Sequence, residues 1–213
     1  MATSLQCDLA MNVKVTIVDY GISNLWSVRS AFHYLGYETV VSSNPSEVAQ
    51  ADILILPGVG SFRKAMTALK NLHLDEAILE ATIEKGRKIL GICLGMQLLS
   101  MRSTEDGETL GLGLIKSDVE RFVGQLKVPH IGFNQVHHLD KNILFQGIAS
   151  SADFYFVHSY RLLPHSAMGL HGICHYGQDF LAAYEYENIF ATQFHPEKSQ
   201  TNGLMLINNF MSC

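Results

Sequence analysis

The sequence predicts an α/β fold of three layers, with a mostly parallel central sheet, helices on both faces and an antiparallel β extension in the second half. Two observations predict it. Apolar runs such as Ile53–Leu56 carry no polar alternation and stop at glycine-rich turns, as strands do when helices cover both faces of their sheet. Strand-like and helix-like periodicities also alternate through the first half of the chain. A length of 213 residues suits one domain around one core.

Taken in order, Val13–Val18 is a β-rich run that ends in the turn Asp19-Tyr20-Gly21. Ser23 is the expected cap of a helix reaching Leu35, because Leu25, Val28, Ala31, Phe32 and Leu35 fall on one helical face. Gly36 closes that helix; Tyr37–Val41 reads as a second strand and Pro45–Ala49 as a short helix. After the strand Ile53–Leu56 and the turn Pro57-Gly58-Val59-Gly60, helices are expected over Phe62–Leu69 and Leu74–Lys85. Lys88–Ile92 is the next strand, ending at Cys93, and Leu94–Met101 reads as helical. Beyond Leu110 the character changes. Short β-rich runs (Val119–Val123, Phe154–Val157, Met168–His175, Leu181–Tyr186, Ile189–Phe194) are separated by Gly, Pro and Asn, the signature of antiparallel strands. A last helix is expected near Gly203–Met211. With no repeat, linker or low-complexity tract, residues 13–213 are read as one domain and residues 1–12 as an extension outside its core.

Composition excludes several function classes. Hydrophobic residues make up 47% and charged residues 16%, the balance of a chain that buries a core. A net charge of −5 with no Lys/Arg cluster gives no basic stripe for nucleic acid. Cys7, Cys93, Cys174 and Cys213 are scattered without a CxxC pair, so neither a disulfide framework nor a thiolate zinc site is expected, and a reducing cytoplasm is. The ten histidines include no HxH or HExxH pairing, and no metal is expected. No GxGxxG or GxxxxGK[ST] motif calls for a nucleotide or other cofactor. The first dozen residues lack the cationic start and apolar run of a signal peptide, and no run approaches a membrane span.

The chemistry concentrates in three short stretches. Gly91-Ile92-Cys93-Leu94-Gly95 puts a glycine two positions to either side of a cysteine, where a strand gives way to a helix. That is a nucleophile elbow: the turn is tight enough to demand small neighbours, and it lifts the sulfur above the C-terminal edge of the sheet. A lone cysteine is usually a small buried hydrophobe; the glycines and the strand-to-helix context reverse that reading here. The start of the helix favours thiolate, and the Leu94 N–H is placed to meet an oxygen developing charge. In Phe194-His195-Pro196-Glu197, the imidazole leaves the end of a strand and Glu197 is positioned to accept its second N–H, as a base and its orienting acceptor must be arranged. Alone this would be an ordinary surface loop. Pro57-Gly58-Val59-Gly60, also at a strand end, supplies the backbone N–H groups of Val59 and Gly60 as further oxyanion donors.

With the wider stretches Asp19–Gly21 and Asn24-Leu25, Gly91–Leu99, Gly111–Leu114, Lys127–His130 with Gly132 and Asn134, Tyr155–Tyr160, and Gln193–Ser199, the chain resembles the class I (triad-type) glutamine amidotransferases. The likeness covers essentially Val13–Phe210. It implies that Cys93 attacks the side-chain amide of glutamine, that His195, oriented by Glu197, protonates the departing ammonia, and that water hydrolyses the glutamyl thioester. It further implies that Gly58, Gln97 and His158-Ser159-Tyr160 hold the substrate. Within the family the likeness is strongest to glutaminases of histidine biosynthesis, which implies a heterodimer with a (β/α)-barrel cyclase that receives the ammonia. Two positions depart from the family pattern: Trp26 stands where a basic or polar residue is usual, and Phe133 where tryptophan is frequent. Each is either core packing or part of the partner face. Two other readings stay open: a paralogue feeding ammonia to an amidine-forming step in surface-sugar synthesis, and a non-enzymatic α/β binding module.

Overall fold

A computed structural model describes residues 13–22, 24–139, 141–164 and 168–213; the expected extension 1–12 and the expected cap Ser23 lie outside the described residues. The elements of the first half are β1 (Val15–Val18), α1 (Leu25–Tyr34), β2 (Thr39–Ser42), α2 (Pro45–Ala49), β3 (Ile53–Gly58), α3 (Phe62–Asn71), α4 (Leu74–Leu79), β4 (Lys88–Cys93) and α5 (Leu94–Leu98). Then follow β5 (Ser100–Ser103), β6 (Thr109–Leu110), β7 (Ile115–Arg121), β8 (His130–His137), β9 (Ser151–His158), β10 (Tyr160–Leu162), β11 (Leu170–His175), β12 (Asp179–Tyr186), β13 (Ile189–Thr192) and α6 (Gln200–Ser212).

Nine strands form the main sheet in the order β2-β1-β3-β4-β13-β12-β11-β8-β9. The first five are parallel to their neighbours, and from β12 onward every pairing is antiparallel. Alternate residues of the apolar strands serve opposite faces, as period-two geometry requires. Leu54 and Leu56 join Phe62, Met66 and Leu69 of α3 and Ala77 and Ile78 of α4 in one core. Ile53, Ile55, Leu90 and Ile92 join Val28 and Phe32 of α1 and Leu206, Ile207 and Phe210 of α6 in the other. The expected three layers and antiparallel extension are therefore present.

The second half holds one feature the sequence did not predict: a separate four-stranded sheet, β10-β7-β5-β6. Its Ile115, Val119 and Leu162 pack with Leu181 and Tyr184 of β12, so it covers the antiparallel half on the face where α3 and α4 cover the parallel half. It also corrects the expected helix Leu94–Met101, which stops at Leu98 because the chain pairs at long range instead. Leu98, Ser100 and Met101 carbonyls accept from the N–H groups of Leu112, Gly113 and Gly111 at 2.8–2.9 Å, and tertiary pairing overrides local helical propensity. A second correction concerns Leu74–Lys85. Only its first half is α-helical; residues Glu80–Glu84 form a π turn, closed by the Lys85 N–H to Glu80 carbonyl bond of 3.1 Å.

Candidate active site

β4 and β13 are parallel neighbours, with Ile92 level with Thr192. The residues that follow, Cys93 and Gln193, therefore leave the same edge of the sheet side by side. Cys93 sits at φ 56°, ψ −109°, a conformation costly for a residue with a Cβ and frequent at functional sites. The glycines around it answer to sterics. A Cβ on Gly95 would lie 1.7 Å from the Leu56 carbonyl oxygen, so α5 rests directly on the backbone of β3. The elbow predicted from sequence is in place, although α5 is a single short turn and its dipole correspondingly small.

His195 follows β13 by three positions. Its Nδ1–H donates to Glu197 Oε1 at 2.8 Å, with side chains only 4% and 1% exposed. Pro196 opens the short 3₁₀ turn Pro196–Lys198 that folds the carboxylate back under the ring. The backbone is pinned from both sides. The His195 N–H donates to the Tyr155 carbonyl at 2.9 Å, and Ser199 Oγ donates to the His195 carbonyl at 2.7 Å while accepting from the Tyr155 N–H at 2.9 Å. With Nδ1–H on Glu197, Nε2 is left for the sulfur, and no described group, Cys93 Sγ included, completes a hydrogen bond to it. Burial opposes the imidazolium, but the negative charge at Cys93, contact with its sulfur, and Glu197 outweigh it and raise the ring's pKa to about 10. The ring is thus biased toward its protonated form, between the Cys93 sulfur and the Glu197 carboxylate.

A cleft of about 280 Å³ opens above these groups, lined by Val59, Gly60, Cys93, Leu94, Gln97, Glu105, Pro129, Val157, His158, Ser159, Tyr160, His195 and Lys198. It gathers all but two of the residues predicted from sequence: Glu197 lies beneath His195, and Gly58 is not in the lining. Gly58 is buried because a Cβ there would meet the Tyr20 hydroxyl at 2.2 Å and Leu94 Cβ at 3.0 Å; its smallness serves packing, not substrate contact. Tyr20 Oη in turn donates to the Pro57 carbonyl at 2.8 Å and fixes the start of the loop. The Val59 N–H, expected as an oxyanion donor, donates instead to the Ile22 carbonyl at 3.4 Å.

Two expected substrate contacts are also engaged by the protein itself. Gln97 Nε2 donates to the Tyr160 carbonyl at 3.0 Å and to Gln193 Oε1 at 2.9 Å, leaving only its Oε1 for a ligand. His158 Nδ1–H donates to the same Tyr160 carbonyl at 2.8 Å, so its Nε2 must accept, and it does so from His130 Nδ1–H at 3.1 Å. Burial lowers the pKa of His158 to about 3 and of His130 to about 4, which keeps this pair neutral. The histidine inside the family-like His158-Ser159-Tyr160 stretch therefore shapes the wall and does not reach across the cleft.

Sequence reasoning missed two residues. Glu105, in the β5–β6 connection, lines the cleft, accepts from the Phe62 N–H at 2.8 Å, and has its pKa raised by burial and by Asp106 against that bond. Nothing local marks a carboxylate in Thr104-Glu105-Asp106-Gly107 as more than a turn. Gln193 is fully buried and touches both Gln97 and Cys93; its place beside the elbow follows from strand order, which the sequence leaves open. The two departures from the family pattern, Trp26 and Phe133, are both exposed, at 76% and 51%, so neither is core packing.

Comparison with known proteins agrees with this geometry. Residues 16–213 match the family model for class I glutamine amidotransferases. Among curated relatives, the "Imidazole glycerol phosphate synthase subunit HisH 1" of Parasynechococcus marenigrum is 42% identical over 93% of this chain and 97% of its own length. The HisH subunit of Syntrophotalea carbinolica is 46% identical over 92% and 98%. Among solved structures, a glutamine amidotransferase superposes with a TM-score of 0.72 at 18% identity, over 92% of this chain and 97% of that one. PurLQS from Thermotoga maritima gives 0.71 at 17% identity, over 93% and 97%; these two speak for the fold. An elbow cysteine, a carboxylate-held histidine, a family match over residues 16–213 and 42–46% identity over nearly the whole chain lead to one assignment: the chain belongs to the class I glutamine amidotransferases.

Proposed function

We propose that Cys93, His195 and Glu197 are the catalytic triad of a glutaminase. At 42–46% identity to HisH proteins over nearly its whole length, the chain is the glutaminase subunit of imidazole glycerol phosphate synthase. The observation that carries the triad is the His195 Nδ1 to Glu197 Oε1 bond of 2.8 Å, which turns Nε2 toward Cys93 and leaves the ring holding a proton. The Cys93 thiolate attacks the side-chain carbonyl carbon of glutamine. Charge collects on the carbonyl oxygen, where the Leu94 N–H, at the start of α5 and without an intrahelical partner, meets it. The tetrahedral adduct collapses as His195 delivers its proton to the amide nitrogen, and ammonia leaves. His195, now neutral, takes a proton from water as that water attacks the thioester. Glutamate departs and the ion pair is restored.

Glu105 is the carboxylate suited to the substrate's α-ammonium, and Gln97 Oε1 is free to accept an N–H. Residues 13–213 act as one domain in this reading. The ammonia passes to a barrel-fold cyclase subunit, where imidazole glycerol phosphate and an aminoimidazole carboxamide ribonucleotide are made. The exposed Phe133, edge-to-face at 5.5 Å with Tyr155, whose carbonyl accepts from the His195 N–H, belongs to the face that partner covers.

Steady-state glutamate release tests the proposal. With the Val59 N–H held by Ile22, the isolated chain lacks one oxyanion donor, a group worth about 10²–10³ in kcat. Slow release alone and a marked rise with the cyclase and its nucleotide are expected. Cys93→Ala should abolish release and spare partner binding; retained hydrolysis in that variant overturns the triad.

A further inference from the structure

The hydrogen bonds around the sulfur form a chain whose direction is fixed at one end. The Tyr160 carbonyl is an acceptor only, so the Gln97 atom 3.0 Å away is its Nε2. That nitrogen also faces the Gln193 side chain at 2.9 Å, which must therefore present Oε1. Gln193 then has one orientation available, with Nε2 turned to Cys93 Sγ at 3.7 Å. Its backbone is equally fixed, the N–H donating to the Ala182 carbonyl at 2.8 Å. An amide flip, which usually costs a glutamine little, would here break the bond to Gln97 and place an oxygen lone pair against the sulfur.

We propose that Gln193 is a positioning residue of the glutaminase reaction, holding the Cys93 sulfur as a thiolate by donating its fixed Nε2–H to it. This inference rests on Cys93 being the nucleophile. The sulfur has a competing neighbour in the Val157 carbonyl, 3.9 Å away, which accepts only from the protonated thiol. Gln193 donates to the thiolate, and the two thus favour opposite protonation states. The titratable groups around the sulfur and its cleft are His195, Glu197 and Lys198 from the turn after β13, Tyr20 from the loop after β1, His158 from β9, Tyr160 from β10, and Glu105 from the β5–β6 connection. Of these, His195 favours the thiolate, and its proton must later leave for ammonia. Gln193 does not transfer a proton, so its contribution returns each time the thiolate is released from the thioester. The same link couples the substrate contact Gln97 to the nucleophile through a single side chain.

The test is the pH dependence of Cys93 alkylation by iodoacetamide in the absence of glutamine, read by mass spectrometry on the Cys93 peptide so that Cys213 does not interfere. Gln193→Met keeps the volume and removes the donor. Hydrogen bonds to charged groups are strong enough that the half-maximal pH should rise by about one unit, which makes the reaction about tenfold slower at pH values below both midpoints. The kcat should fall in proportion, with KM for glutamine within about twofold, since Gln97 stays tied to Tyr160. An unmoved alkylation profile, or a loss confined to KM, overturns the proposal. Should Gln193→Met not fold, ¹⁵N spectra decide: the Gln193 side-chain amide proton facing sulfur must shift between the wild-type chain and Cys93→Ala, and an unshifted signal is equally fatal. Hydrolysis retained in Cys93→Ala would sink the triad itself; hydrolysis lost there, with a Gln193→Met profile like wild type, sinks only this inference.

Discussion

Cys93 and His195 stand beyond adjacent parallel strands, yet different forces hold them. On the Cys93 side the determinants are steric. β3 and, after Lys88, β4 are apolar, α5 is seated on the Leu56 carbonyl, and the cysteine between them sits at φ 56°. On the His195 side the determinants are polar. Glu197, Ser199 and the Tyr155 backbone fix the imidazole through hydrogen bonds, and the supporting strand β9 comes from the far edge of the sheet, four places from β13. The antiparallel half must therefore curl back over the site to deliver Tyr155 and Val157. The parallel half builds a rigid seat; the antiparallel half builds a network above it. One should be intolerant of added volume and the other of lost polarity.

The sharpest way to break that contrast is Gly95→Ala. Its new methyl carbon overlaps a backbone oxygen at 1.7 Å, which no side-chain rotation relieves. A cost of about 4 kcal/mol or more in urea unfolding is expected, beyond ordinary overpacking, together with loss of glutamine hydrolysis. A stable, active variant would mean that the elbow is not a steric construction.

Glu197→Gln tests the polar side and spares the fold. The amide retains the shape but turns a donor or a weaker acceptor to Nδ1, so the ring loses both its orientation and the charge that holds its proton. On the order of 10²–10⁴-fold lower kcat is expected, with an unfolding midpoint near that of the wild type. A variant that loses stability and activity in step would place Glu197 among the structural supports instead.

The same contrast explains what the sequence disclosed. Steric determinants are local and visible: Ile53–Leu56 and Ile89–Ile92 are runs without a polar side chain, and the glycines flanking Cys93 are spaced for a tight turn. The His195–Glu197 pairing was legible because Pro196 sets the two side chains against each other within three residues. Long-range polar determinants leave no such trace. β5 hides in a segment with helical spacing, because its pairing partners are downstream in Thr109–Leu110 and Ile115–Val119. β8 alternates buried and exposed positions with too few apolar residues to announce itself. Gln193 gains its meaning only when β13 is laid beside β4. His158 was assigned to the substrate from its stretch alone, whereas both its nitrogens face the protein.

The smallest expected effect concerns that histidine and its partner, and it separates the halves by pH. His130 and His158 are buried, neutral and linked, with pKa values lowered by burial to about 4 and about 3 from an unfolded value near 6.5. A histidine whose folded value is depressed contributes full stability above its unfolded value. That contribution fades as pH falls from about 6.5 toward the folded one, since the unfolded chain takes up the proton first. Each ring should therefore cost up to about 1.4 kcal/mol per pH unit over that window. His130→Phe preserves the stacking on Phe156 at 5.0 Å and on Tyr176 at 4.0 Å while removing one of the two titrations. Urea midpoints measured from pH 7 to pH 4.5 should then fall about half as steeply as in the wild-type chain. If both proteins lose stability with the same slope, acid sensitivity arises elsewhere, and the histidine pair is no part of what distinguishes the polar half from its apolar counterpart.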